Sequence, residues 1–213
     1  MYVPRFNAID DEAEMRALVA AIGSAELVTT GADGYPRATL LPVLWDGDRV
    51  IAHLARANPH WREIGEDAPA LLVCTGPQAY VSPSWYAAKA EHGRVVPTWN
   101  YSSVHLSGRA RVHDDPEWVR GMVTALTQRH EGERDRPWAV TDAPADYLTK
   151  NLRAIVGVEV LVERVEGKAK LSQNRSEADR RGVVTGLAGE QSPRAAEVAA
   201  AMSTSWAEPG ETA

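Results

Sequence analysis

Between Ala154 and Val165 valine recurs at every second position, at Val156, Val158, Val160 and Val162. Residues two apart share a face of a strand but not of a helix. The segment is therefore read as a strand with one apolar face. The extended run Val95–Val112 ends in the same pattern: Val104, Leu106, Ala110 and Val112 alternate with His105, Ser107, Arg109 and Arg111. That is a half-buried strand with a polar face.

Shorter strands precede these two. Glu26–Thr30, Pro36–Trp45 and Arg49–Ala55 are separated by Gly31-Ala-Asp-Gly-Tyr and by Asp46-Gly47-Asp48, which are tight-turn signals. Ala70–Thr75 and Ala79–Ser82 read as two further strands with a turn at Gly76-Pro77. Helical periodicity is confined to a few segments. Met15, Leu18, Val19 and Ile22 form one stripe, with Asp10 or Asp11 as cap and Gly23 as stop. Asp115-Pro116-Glu117 opens a second helix with Val119, Met122, Val123 and Leu126 inward. Pro144–Leu152, Ser176–Leu187 and Ser192–Met202 are shorter candidates, and the polar tail from residue 203 reads as disordered. The pattern predicts a mainly β protein (β plus α), a closed or split barrel with flanking helices, over residues 1–190. Residues 191–213 form a weakly helical or disordered tail.

Composition narrows the functions. Net charge is −6, which argues against direct nucleic-acid binding. The one cysteine, Cys74, sits in the apolar run ALLVCT and reads as core filler. With no apolar leader and no long apolar run, a cytoplasmic protein away from membranes is expected.

Three places carry chemistry. Gly76–Arg111 holds Trp85, Trp99, Tyr80, Tyr86 and Tyr101 beside Lys89, His92, Asn100 and His105. Such amphipathic rings suit either a flat polar-edged ligand or a subunit interface. His53-Leu-Ala-Arg-Ala-Asn-Pro-His-Trp61 runs off a strand into a helix start. There free N–H groups and Arg56 can hold a phosphate, with Ala55 and Ala57 permitting close approach. The other reading is a capped helix with a surface arginine. His53 is a structural histidine or a metal or haem ligand. Lys170, Ser172, Gln173, Asn174 and Arg175 form either a solvated loop or a clamp on a polar ligand. No zinc spacing and no Gly-x-Ser-x-Gly is present.

Taken together, Met1-Tyr-Val-Pro4, His53–Trp61, Ala79-Tyr-Val-Ser-Pro-Ser-Trp-Tyr86, Val96-Pro-Thr-Trp-Asn-Tyr101 with Val104-His105, Pro137-Trp-Ala-Val140 and Lys170–Arg175 resemble the PaiB family. Its members are known as FMN-binding negative transcriptional regulators of the flavin split-barrel superfamily. The resemblance implies a homodimeric FMN-binding split barrel with flavin at the dimer interface. Arg37, Thr39, Leu40 and Leu41 would lie along the isoalloxazine. Ala55, Arg56, Ala57 and Asn58 would hold the phosphate. Trp99, Asn100, Lys170, Ser172, Gln173 and Asn174 would close the site, and substrate would stack near Trp85 and Trp99. Activity would be that of an FMN-dependent oxidoreductase on a small molecule, or a redox-linked negative regulator. The haem-dependent piperazate synthases, which form an N–N bond, are similar to this family. By that likeness haem b is the alternative cofactor, with His53 as axial ligand. A non-enzymatic transcriptional regulator is a third reading.

Overall fold

The computed structural model describes residues 1–205. After a 3-10 turn at Arg5–Asn7 come β1 (Ala8–Ile9), α1 (Glu12–Ile22), β2 (Ser24–Thr30), β3 (Pro36–Pro42), β4 (Leu44–Asp46) and β5 (Arg49–Ala55). Next are α2 (His60–Glu63), β6 (Ala68–Val81), a 3-10 turn at Pro83–Trp85, α3 (Ala88–His92), β7 (Thr98–His113) and α4 (Pro116–Glu131). A turn at Val140–Asp142, α5 (Ala145–Leu152), β8 (Ile155–Lys170), α6 (Glu177–Gly189) and α7 (Pro193–Thr204) complete the chain. The strands form an antiparallel sheet in the order β3-β2-β6-β7-β8-β5-β4, and β1 pairs with β8.

Two compact units divide the chain. One contains residues 16–74 and 105–165, the other residues 1–15, 75–104 and those from 166 on. In the first, β2 pairs with β3 from Ser24↔Pro42 to Thr30↔Pro36, and β5 pairs with β8 from Arg49↔Leu161 to Ala55↔Ile155. Gly34 and Gly47 take φ of 81° and 58° at the turns expected from Asp33-Gly34 and Asp46-Gly47, a region open to glycine at little cost. Ile51, Val119, Met122, Leu126 and Leu152 form one apolar cluster. Asp115 caps α4 by accepting a hydrogen bond from the Trp118 N–H at 2.8 Å. Gly157 is matched to Trp118: a Cβ at 157 would lie 2.0 Å from the indole Cζ3.

The second unit is built on α6 and α7. Ser176 and Ser192 cap them, accepting from Asp179 N–H and Ala195 N–H. Val183, Leu187, Val198 and Met202 are fully buried together with Val81 and Leu171. Each large apolar side chain so buried contributes about 1.5–3 kcal/mol. The tail expected to be disordered from residue 203 is helical at Ser203 and Thr204, the end of α7, and from residue 206 on it lies outside the described residues.

Three expectations for the elements change. Gly76-Pro77 is no turn; β6 runs through it. Proline holds φ near −65° and drives the residue before it toward extended backbone, which a strand accommodates. Pro36–Trp45 is two strands, interrupted at Val43, whose N–H bonds to Gly23 C=O instead. The valine-rich strand does not end at Val165 but continues to Lys170, so Lys168 and Lys170 are strand residues rather than loop residues.

Candidate functional site

In the unit of residues 16–74 and 105–165, β3 is the terminal strand of the sheet. An edge strand leaves a row of backbone N–H and C=O groups without a strand partner. Leu40 is 67% exposed on it while Leu41 is buried. Thr39 is anchored from below. His60, buried in the first turn of α2, bridges two strands: its Nδ1 lies 2.8 Å from Thr39 Oγ1 and its Nε2 2.9 Å from Thr29 Oγ1. The Asn58 carboxamide accepts from the His60 N–H at 3.0 Å and approaches Thr39 Oγ1 at 3.5 Å. Burial lowers the His60 pKa from its ordinary 6.5, because charging a desolvated imidazole costs free energy. Arg37 pairs with Glu63 at 3.0 Å and with Asp33 at 2.9 Å.

The turn after β5 holds Ala55, Arg56, Ala57 and Asn58. Both alanines are exposed, and Asn58 N–H closes the turn on Ala55 C=O at 2.9 Å. The Arg56 guanidinium is already engaged. Its Nε donates to Arg153 C=O at 2.7 Å and its Nη2 to Ile155 C=O at 3.1 Å, while both Nη atoms hold the Asp114 carboxylate. That pairing raises the Arg56 pKa and lowers that of Asp114. The same guanidinium lines a cavity of about 160 Å³ with Arg120, Arg153 and Thr149. The helix that follows has only four residues, so few peptide dipoles align there and the helix-end attraction for an anion is small. Any anion held at this turn depends on arginine and turn N–H groups.

His53 pairs with Gly157 in the β5–β8 register. Its Nδ1 is buried and meets no hydrogen-bond partner among the described residues. Burial lowers its pKa from 6.5.

The unit containing residues 75–104 and 166 on holds the other expected residues. Asn100 is fully buried, its Nδ2 donating to Ser172 Oγ at 3.0 Å and lying 3.4 Å from Met202 Sδ. Ser172 sits at φ 65°, so the Asn100 contact helps hold a left-handed residue in place. Gln173 fastens the same turn, accepting from Leu171 N–H at 2.7 Å and donating to Ala169 C=O. Lys170 Nζ donates to Thr98 Oγ1 at 2.6 Å. Asn174 lines a cavity of about 340 Å³ together with Asn100, Lys170 and Ser172. Trp99 is 47% exposed, its Nε1 donating to Gln78 Oε1 at 3.1 Å. Trp85 packs into the core: a Cβ at Gly182 would lie 2.0 Å from its carbonyl oxygen, and one at Gly186 2.3 Å from its indole. Two glycines one helical turn apart on α6 thus form the seat for Trp85.

Tyr86, Tyr101 and Arg175, singled out from the sequence, line that cavity, and Tyr2, Phe6 and Lys168 join them as walls that the sequence did not single out. Strand periodicity placed on Lys168 and Lys170 together, once β8 is extended past Val165, was the available signal. The Tyr86 hydroxyl is buried without a hydrogen bond of normal geometry. Burial raises its pKa, opposed by the nearby Arg175 and Ser172.

Comparison with known proteins agrees with this architecture. Residues 1–164 match a family model described as "Putative FMN-binding domain". The chain is 33% identical over 206 residues to the Bacillus subtilis protease synthase and sporulation protein PAI 2, covering 95% of this chain and 96% of that one. It is 38% identical over 156 residues to an uncharacterized protein of Aspergillus fumigatus, covering 66% of this chain and 59% of the relative. Among solved structures, the FAD and heme binding protein from Mycobacterium smegmatis superposes with a TM-score of 0.59 at 20% identity, over 86% of this chain and 80% of that one. The flavocytochrome Anf3 from Azotobacter vinelandii gives 0.57 at 21%, over 84% and 78%. These structural likenesses show a shared split-barrel fold. Family model, near full-length relative and fold converge, and the chain belongs to the PaiB family of FMN-binding-domain proteins.

Proposed function

We propose that this protein binds FMN and acts as a flavin-dependent oxidoreductase on a small molecule, or as a regulator whose state follows the flavin's. The observation that carries the reading is edge strand β3. It pairs on one side only, and its Thr39 is held by the buried His60 imidazole and approached by the Asn58 carboxamide, which also accepts from the His60 N–H. A flat heterocycle needs such a pre-set row of backbone donors and acceptors, held by side chains that do not reorganise on binding. Arg37, Leu40 and Leu41 continue the row. The ribityl phosphate goes to the turn Ala55–Asn58, where small exposed residues flank Arg56. Exposed Leu40 and Tyr35, at 67% and 69%, suit coverage by a second copy, so the working form is a homodimer. Bound flavin supplies the electron or hydride transfer; the chain's residues bind it, orient it and exclude water.

Haem ligation by His53 fits less well. A metal-bound histidine ordinarily donates its other N–H to a carboxylate or carbonyl that sets the ring orientation. Here His53 Nδ1 is buried without such an acceptor among the described residues. The test is the visible spectrum of the purified protein, followed by titration with FMN and with hemin. Flavin bands and saturable FMN binding are expected. A Soret band with loss of binding on His53→Ala would replace this reading with the haem one.

A further inference from the structure

We infer that the cavity of about 340 Å³ in the unit of residues 1–15, 75–104 and 166 on is a binding site for a small planar organic anion, a ring bearing a carboxylate or phosphate. Its wall holds Lys168, Lys170 and Arg175 and contains no aspartate or glutamate. None of the three cations forms an ion pair among the described residues. Lys168 is only 7% exposed. Its ammonium donates to Tyr2 C=O at 3.0 Å and otherwise faces rings, 5.1 Å from the centre of Tyr101 and 5.8 Å from that of Tyr2. Arg175 lies over the Tyr86 ring at 4.7 Å, and Lys170 donates to a threonine hydroxyl.

A buried cation with a carbonyl and π faces but no anion is under-compensated, since desolvation costs more than neutral partners return. Buried Lys168 and half-buried Lys170 and Arg175 around one cavity are compensated together by a ligand's negative charge. The Tyr86 hydroxyl is buried at the same wall without a hydrogen bond of normal geometry, with Ser172 and Arg175 close to it. The aromatic walls define the rest of the ligand as flat and apolar. The volume lies at the low end for ligand sites. The inference rests on the proposed placement of FMN along β3, with Asn100, Lys170, Ser172 and Asn174 serving this cavity rather than the flavin.

The test is calorimetric titration of the full chain with benzoate, with benzyl alcohol as the neutral ring and with inorganic phosphate as the ringless anion. FMN titrations are run on the same samples. Benzoate should bind saturably, at least about tenfold tighter than either control. Lys168→Met, and separately Arg175→Gln, should each weaken benzoate about tenfold or more while FMN affinity is unchanged. Because Lys168 also holds Tyr2, Arg175→Gln is the variant that leaves the N-terminal segment undisturbed. If Lys168 were merely structural, its variant would melt lower and still bind benzoate as the parent does. Absence of saturable benzoate binding, equal binding of benzyl alcohol, or displacement of benzoate by FMN in direct competition would each overturn the inference. Preference for phosphate over benzoate would overturn the ring requirement.

Discussion

Arg56 and Asp114 offer the sharpest test of the proposed phosphate site. Arginine carries five N–H donors. Arg56 spends four hydrogen bonds on Asp114 and on the carbonyls of Arg153 and Ile155. A phosphate arriving at the turn Ala55–Asn58 therefore competes with Asp114 for the guanidinium and is repelled by its carboxylate. The pair is open to solvent, with side-chain exposures of 35% and 58%, so separating it costs little. Asp114→Asn should tighten FMN about threefold to tenfold and leave riboflavin unchanged. Arg56→Ala should weaken FMN about tenfold to a hundredfold, the range for charge-assisted hydrogen bonds, and riboflavin less than about threefold. In the Arg56→Ala background the gain from Asp114→Asn should shrink to the relief of repulsion alone, because no donor is freed. Fluorescence-quenching titrations with both flavins measure all four proteins. Equal losses for FMN and riboflavin on Arg56→Ala would refute the phosphate assignment, as would Asp114→Asn weakening FMN.

Other outcomes can be checked with standard measurements. His53 and His60 both have pKa values lowered by burial from 6.5; their unfolded forms bind protons first, so stability is full above pH 6.5 and falls as pH drops below it. The stability from the carboxylates of Asp33, Asp67 and Asp114, whose pKa values are lowered by their arginine partners, is present above about pH 4 and lost only below it, so melting temperatures between pH 7.5 and 5 report mainly on the histidines. A His60→Leu variant should show a shallower slope, and an unchanged slope would count against the assignment. Gly157→Ala should destabilise by about 1–3 kcal/mol by displacing Trp118, lowering Tm by about 2–12 °C; combination with Trp118→Leu should recover part of the loss. Asn100→Ala should cost about 1–3 kcal/mol in chemical denaturation, since the buried Ser172 hydroxyl loses its partner. The Cys74 thiol, buried and pushed up to about 12, should resist thiol reagents until the protein unfolds.

Alternating valines and turn glycines sufficed to predict the strands, and the Ser-Pro, Asp-Pro and Gly punctuation the helices, because strand and helix periods and capping are local properties of backbone and side chain. The same local physics misjudged Gly76-Pro77, where neighbouring β pairing decides between turn and strand. The family, too, was legible in ordered motifs across the chain. Its placement of individual side chains was not. That Arg56 meets Asp114, 58 residues on, that Thr39 and Thr29 share one imidazole, and that Gly182 and Gly186 are flat to admit Trp85 are long-range packing outcomes with no sequence period. Charge behaves likewise. A run such as Lys168–Arg175 has the same composition whether solvated or buried, and only the tertiary fold determines that Lys168 is enclosed by rings without a carboxylate. Burial sets the cost of leaving a charge unpaired, and burial is a property of the whole chain's packing.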